Sequence, residues 1–177
     1  IPVTSLLYTF SNITQLKEMP IIPQTVTTIR DSFNGCTNLE LVGYIPNSVV
    51  NMQGTFHGCI KLKNISNLPS KIENMNSTFQ STNLIKCPYI PDTVETMRAC
   101  FYDCSNLLSI ENIPKMVADL YLTFYRCKNL EDINITIPEK VTNLRNTFNG
   151  CTKLSGNIKI LANTVEYKNC FLETSTD

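Results

Sequence analysis

Residues 49–62 read VVNMQGTFHGCIKL, and the same arrangement of apolar residues returns along nearly the whole chain. Each phenylalanine of the protein marks one copy, and successive phenylalanines are 23, 23, 23, 22, 23, 24 and 23 residues apart. A fixed period of about 20–50 residues is typical of proteins that stack one structural unit on the next. The eight positions are Phe10, Phe33, Phe56, Phe79, Phe101, Phe124, Phe148 and Phe171.

Other apolar residues keep a constant distance from phenylalanine. Val or Ile stands seven residues before it and Leu, Ile or Met four before it in the first seven units, and a Leu follows five or six residues after it. An apolar residue followed by Pro precedes phenylalanine by eleven and ten residues in units two to seven. A single unit of this size cannot bury its apolar side chains, whereas stacked units can.

These columns predict a repeat solenoid of about seven or eight coils. We expect short parallel strands at the L-x-x-I and V-x-x-M stretches, because Pro and turn residues exclude a long helix. A short helical turn is expected near T-F-x-x-C. The solenoid is assigned to residues 1–172, and the polar residues 173–177 are assigned to a tail or the start of a linker. The outermost units carry the usual apolar columns rather than polar caps, so we expect the array to continue in a longer chain.

In four units an asparagine stands just before the leucine of the repeat, and these asparagines form a column. Stacked asparagine amides can bond the backbone of neighbouring coils and form a ladder. The alternative is that these are ordinary turn residues in an asparagine-rich chain. The column consists of Asn38, Asn83, Asn106 and Asn129.

The eight cysteines also follow the repeat, which favours a role as small apolar core residues over disulfides. Equivalent Cβ atoms on adjacent coils would lie about 4.8 Å apart, farther than the roughly 3.5–4.5 Å of a disulfide, although one or more bridges remain an alternative. Five cysteines stand three residues after phenylalanine, namely Cys36, Cys59, Cys104, Cys127 and Cys151.

Neither a metal site nor a catalytic site is expected. The sequence has no C-x-x-C pair, and Cys100 with Cys104 cannot supply the four ligands of a zinc site. The single histidine, His57, is two residues from Cys59, but the repeat places Cys59 inward and the residue after phenylalanine outward. The two side chains are therefore expected to diverge, which argues against a cysteine nucleophile with a histidine base. Because no glycine-rich phosphate loop is present, we expect no cofactor and no enzyme activity.

Composition argues against nucleic-acid binding and against a transmembrane helix. The chain of 177 residues has 15 basic and 15 acidic side chains, so it lacks the positive field that binding to nucleic-acid phosphates requires. Its apolar runs span only a few residues, far below the roughly 20 of a transmembrane helix.

The outward columns three residues before and one residue after phenylalanine concentrate tyrosine and arginine in units five to seven. Tyrosine and arginine are enriched at binding hot spots, so these positions form the candidate site for a protein or glycan ligand. The alternative is a solvated face with ordinary surface tyrosines. The candidate residues are Arg98, Tyr102, Tyr121, Tyr125 and Arg145.

The unit resembles the BspA-like leucine-rich repeat, whose core reads V-x-x-[IM]-x-x-x-F-x-x-C-x-x-L-x-x-I. The clearest copies are residues 49–62 and 94–107. The resemblance implies a leucine-rich-repeat-like solenoid and a non-catalytic binding array in a surface or secreted protein that takes part in adhesion. Two alternatives stay open, namely a structural spacer and an accessory domain of a larger protein, including an enzyme.

Overall fold

The computed structural model describes residues 1–163 and 165–174 as one stack of eight coils, each centred on one phenylalanine. The last three residues of the predicted tail, 175–177, lie outside the described residues. A parallel ladder of single bridges, at the residue five before each phenylalanine, joins all eight coils. The bridged residues are Ser5, Thr28, Asn51, Asn74, Thr96, Asp119, Asn143 and Glu166.

A second parallel ladder lies just after the leucine of the unit in several coils. Both strands found in the described residues belong to this ladder. Strand β1 (Ile133–Ile137) pairs in parallel with β2 (Gly156–Ile160), with Ile133 opposite Gly156. Elsewhere this ladder is reduced to single bridges, at Glu18 with Leu41 and at Lys86 with Ser109. The predicted solenoid of short parallel strands is therefore confirmed, and strand pairing is longest beside the unit of 24 residues.

The expected helical turn near T-F-x-x-C is wrong, because the described residues contain no helix. Tight turns replace it, with a positive φ two residues before and two residues after each phenylalanine, as at Ala99 (51°) and Asp103 (58°) around Phe101. The Cys100 N–H donates to the carbonyl of Met97 three residues back, whereas the Phe101 N–H donates to Thr123 of the next coil. Hydrogen bonds between coils thus hold the backbone in a left-handed conformation that residues other than glycine rarely adopt.

The phenylalanine rings form a continuous stack along the core. Neighbouring ring centroids lie 5.3–5.8 Å apart with planes within 16° of parallel. The six central rings are fully buried, Phe10 is half-buried and Phe171 is 38% exposed. The end rings are more exposed because each has a neighbouring coil on one side only.

Two polar columns line the core and bond the backbone of the preceding coil. The hydroxyl just before phenylalanine donates to a carbonyl there, as Thr123 Oγ1 does to Met97 at 3.0 Å. The thiol three residues after phenylalanine donates to the preceding phenylalanine carbonyl at 2.9–3.2 Å. These thiols are Cys36, Cys59, Cys104, Cys127 and Cys151.

The predicted asparagine ladder is confirmed. The Nδ2 atoms of Asn38, Asn83 and Asn129 donate to carbonyls of the preceding coil at 2.6–2.9 Å. Asn106 donates instead to the side-chain oxygen of Asn83 at 3.1 Å, which links two members of the column directly. The ladder satisfies backbone groups that the turns leave without a partner.

Candidate functional site

Hydrogen bonds from backbone N–H groups fix the outward columns on either side of phenylalanine. The side-chain oxygen of Asp119 accepts the Tyr121 N–H at 2.8 Å, and Asn143 accepts the Arg145 N–H at 3.1 Å. The residue that follows each outward position before phenylalanine has a positive φ, and in the first seven coils its N–H donates to a carbonyl of the next coil. The columns therefore present their side chains at fixed intervals along one side of the stack.

Three of the five candidate residues form a cluster around the Tyr121 ring. The Arg98 guanidinium carbon lies 5.1 Å from the ring centroid, and that of Arg145 lies 5.9 Å from it. Both distances are within the range of a cation–π contact. Each guanidinium also approaches a carboxylate, with Arg98 at 3.6 Å from Asp119 and Arg145 at 3.5 Å from Glu166.

The other two candidates form a second cluster. The rings of Tyr102 and Tyr125 stack with centroids 4.9 Å apart and planes 18° from parallel. The guanidinium carbon of Arg126 lies 5.2 Å from the centroid of Tyr125. All three tyrosines are half-buried, and each ring contacts another aromatic ring or a guanidinium group. We call these residues, namely Arg98, Tyr102, Tyr121, Tyr125, Arg126 and Arg145, the tyrosine–arginine surface.

Sequence reasoning did not select Arg126, Asp119 or Glu166. Arg126 stands two residues after phenylalanine, a column that otherwise holds mostly Gly, Ser, Asn or Asp, and its φ is 59°. A large cation in a column of turn residues was therefore an available signal. Asp119 and Glu166 are the acidic residues of the bridge column, each one coil beyond its arginine.

The His57 and Cys59 pair has no catalytic geometry. Cys59 is fully buried and its thiol donates to the Phe33 carbonyl at 3.2 Å, whereas His57 lies partly exposed in the outward column. Burial raises the pKa of the Cys59 thiol to about 12, so the thiolate that a nucleophile requires is disfavoured. Burial also lowers the pKa of His57, opposed by the negative charge of Asp31.

All eight cysteines are buried free thiols. Burial raises the pKa of every one, to about 11 for Cys104 and Cys170 and about 12 for Cys151. No group of three or more metal-ligating side chains occurs within residues 1–163 and 165–174. In the same part of the chain, no helix has the length and apolar character needed to cross a bilayer.

The family model for the BspA type leucine-rich repeat region, which spans six copies, matches residues 6–108, 44–155 and 76–176. No curated protein sequence matches the chain.

Two solved structures share the fold at 23% sequence identity. A leucine-rich repeat protein from Bacteroides ovatus superposes with a TM-score of 0.70 over 98% of this chain and 45% of its own. A leucine-rich repeat protein from T. pallidum superposes with a TM-score of 0.71 over 88% of this chain and 73% of its own. The chain thus spans less than half the length of the Bacteroides protein.

Proposed function

The chain belongs to the BspA type leucine-rich repeat family, and from this premise we propose that it is a non-catalytic module that binds another protein through the tyrosine–arginine surface. Adhesion at the cell surface or outside the cell is the setting proposed for this binding. Repeat solenoids present extended surfaces built from equivalent positions of successive units, which suits contact with a large partner.

The observation that carries the proposal is the order already present in the tyrosine–arginine surface. Tyr102 stacks on Tyr125, and Tyr121 lies between Arg98 and Arg145. Side chains that are fixed before binding lose little conformational entropy when a partner arrives. Tyrosine and arginine in such positions are typical of residues that dominate binding energy.

The contacts of the rings favour a protein over a glycan. A sugar binds an aromatic side chain by laying its C–H face on a free ring face. Here Tyr102 and Tyr125 cover each other, Arg126 lies over Tyr125, and two guanidinium groups lie over Tyr121. The phenol hydroxyls and guanidinium N–H groups are donors, which suit the carbonyl and carboxylate oxygens of a protein surface.

The experiment measures binding of the purified chain to immobilised extracellular-matrix proteins and to a glycan array. The test variant combines Tyr102→Ser, Tyr121→Ser and Tyr125→Ser, and the control combines Gln53→Ser and Gln80→Ser in the same two columns. We expect the wild-type chain and the control to bind a matrix protein, and the test variant to lose at least tenfold in affinity, equivalent to about 1.4 kcal/mol.

The tyrosines also support the fold through their ring contacts, so circular dichroism must show that the test variant is folded. If it is not, Arg126→Gln provides a milder change at an exposed position. Equal affinities of the folded test variant and the control would exclude this surface, and binding to glycans alone would exclude a protein ligand. No binding to either panel would instead favour a structural spacer.

A further inference from the structure

A second outward feature lies at the corner that follows the Pro column, in the column eight residues before phenylalanine. In three coils this column carries a hydroxyl that donates to a carbonyl of the preceding coil. Thr25 donates to Val3 at 2.5 Å, Ser48 to Val26 at 2.6 Å and Thr93 to Ile72 at 2.7 Å. These short side chains close the corner against the backbone.

Coils four, six and seven depart from this pattern, because Lys71, Met116 and Lys140 occupy the same column. Coil eight departs at the neighbouring Pro column, where Leu161 donates its N–H to the Ile137 carbonyl at 3.0 Å. Long side chains therefore replace short hydroxyl residues and proline over three successive coils, next to the unit with an additional residue.

A cleft of about 540 Å³ lies at these departures. Its lining is predominantly apolar and includes Ile113, Met116, Pro138 and Leu161. Met116 is 42% exposed and Leu161 is 39% exposed, so the cleft presents apolar side chains to solvent. Its volume is within the range of pockets that hold small ligands or a few side chains, about 300–1,000 Å³.

Two basic side chains lie at the edge of the cleft and differ in their partners. The Lys115 ammonium is paired with Asp92 at 3.0 Å. The Lys140 ammonium lies 3.2 Å from the Met116 sulfur, and within the described part of the chain no carboxylate forms an ion pair with it. Glu139 also lines the cleft. Lys140 is therefore a cation beside an apolar surface and is available to an anionic group.

We propose that this cleft binds an extended peptide segment of a partner protein, in which an aliphatic side chain enters between Met116 and Leu161 and an adjacent carboxylate pairs with Lys140. The cleft is open on its outer side and follows successive coils, so it can cover one or two side chains but cannot enclose a long alkyl chain. The proposal shares no residue with the tyrosine–arginine surface and does not depend on it.

The test uses the methionine methyl groups as probes. Met19, Met52, Met75 and Met97 are buried, whereas Met116 is exposed in the cleft. The chain is labelled with ¹³C at the methionine methyl groups and titrated with acetyl-Gly-Leu-Leu-Glu-Gly-amide, followed by NMR. We expect the Met116 signal to shift while the four core signals stay in place. The matching peptide with Gln in place of Glu should bind about fivefold more weakly, as expected for one exposed ion pair.

Two variants locate the charge effect. Lys140→Glu should remove the preference for the Glu peptide. Lys71→Glu changes the equivalent residue of coil four, which does not line the cleft, and should keep the preference. The retained core methionine signals report that each variant is folded.

A Met116 signal unchanged by either peptide at millimolar concentration would overturn the proposal, as would equal affinities for the two peptides. A shift with sodium dodecanoate but with neither peptide would assign the cleft to an aliphatic acid instead. The variant that lacks the three tyrosines should keep peptide binding, so failure at one site is distinguishable from failure at the other.

Discussion

The Cys127 thiol donates a hydrogen bond of 3.1 Å to the carbonyl of Phe101, a residue 26 positions earlier in the neighbouring coil. The same carbonyl oxygen accepts the Cys104 N–H at 3.0 Å, so it accepts two hydrogen bonds, one from a backbone amide and one from the thiol. The cysteine column therefore fills volume and links coils through a weak hydrogen bond. This relationship repeats in four other coils.

Replacing Cys127 by Ala should destabilise the chain by about 1–3 kcal/mol, because it leaves a small cavity and removes the contact with Phe101. Cys127→Thr should lose less than half as much, because coil four buries Thr82 in this column with its hydroxyl donating to the Phe79 carbonyl of the same coil at 2.9 Å, so the volume stays filled and the hydroxyl has an acceptor. Urea unfolding measures both changes. A Thr variant as unstable as the Ala variant would contradict this interpretation.

Alkaline pH should destabilise the fold through the buried thiols. Burial raises the pKa of Cys59 and Cys151 from 9.0 to about 12, and that of Cys104 from 9.0 to about 11. Above the unfolded pKa the unfolded chain releases protons that the folded chain retains. The thiol contribution is therefore complete below pH 9 and is lost between pH 9 and about 12. The loss approaches about 1.4 kcal/mol per thiol for each pH unit.

Tyrosine and lysine also titrate in this range, so the thiol effect needs a matched variant. Cys151→Thr removes one buried thiol and keeps a side chain that the column accommodates at Thr82. Urea unfolding between pH 7 and pH 10.5 should give a shallower loss of stability for this variant than for the wild-type chain. Equal slopes would show that the thiols do not cause the loss.

The core could be predicted from the sequence because one period fixes every buried column. Phe79 and Leu84 are fully buried although their unit is one residue shorter, since the deletion falls between them in a turn. The asparagine ladder was predictable for the same reason, because equal positions in parallel coils meet. Stacking converts sequence period directly into contact.

The turn at T-F-x-x-C could not be predicted from local propensity. Ala99, Leu122 and Arg126 have positive φ values although such side chains disfavour that region. Bonds between coils impose the conformation, as from the Ala99 N–H to the Tyr121 carbonyl at 2.9 Å. Ring stacking and the cleft depend on side-chain rotamers and on departures from the repeat, which the columns do not specify.

Loss of a phenylalanine ring should destabilise the chain more in the middle of the stack than at its end. Phe79 is fully buried between Phe56 and Phe101, with centroid distances of 5.8 Å and 5.5 Å. Phe79→Ala should therefore cost about 3–5 kcal/mol. Phe171 stacks on Phe148 and is 38% exposed, so Phe171→Ala should cost less than about 2 kcal/mol. Equal losses in urea unfolding would contradict a linear stack.

The tyrosine stack should give a measurable coupling energy. In a double-mutant cycle with Tyr102→Ala and Tyr125→Ala, the double variant should lose about 0.5–1.5 kcal/mol less than the sum of the two single losses, because the rings are in contact. Tyr44 and Tyr89 serve as the control pair, since both are more than half exposed and stand two coils apart. Zero coupling between Tyr102 and Tyr125 would show that their stacking does not persist in solution.

Two glycines should respond oppositely to the same change. Gly156 begins β2 with a φ of 98°, and a Cβ there would overlap the Ile133 carbonyl oxygen of the paired strand. Gly156→Ala should therefore cost about 1–3 kcal/mol and weaken amide-exchange protection of β1. At Gly43 a Cβ would meet nothing within 4 Å. Gly43→Ala should leave stability unchanged or raise it by up to about 1 kcal/mol, because the unfolded chain loses entropy. Comparable losses in urea unfolding for both variants would show that the close approach of β1 and β2 is not the cause.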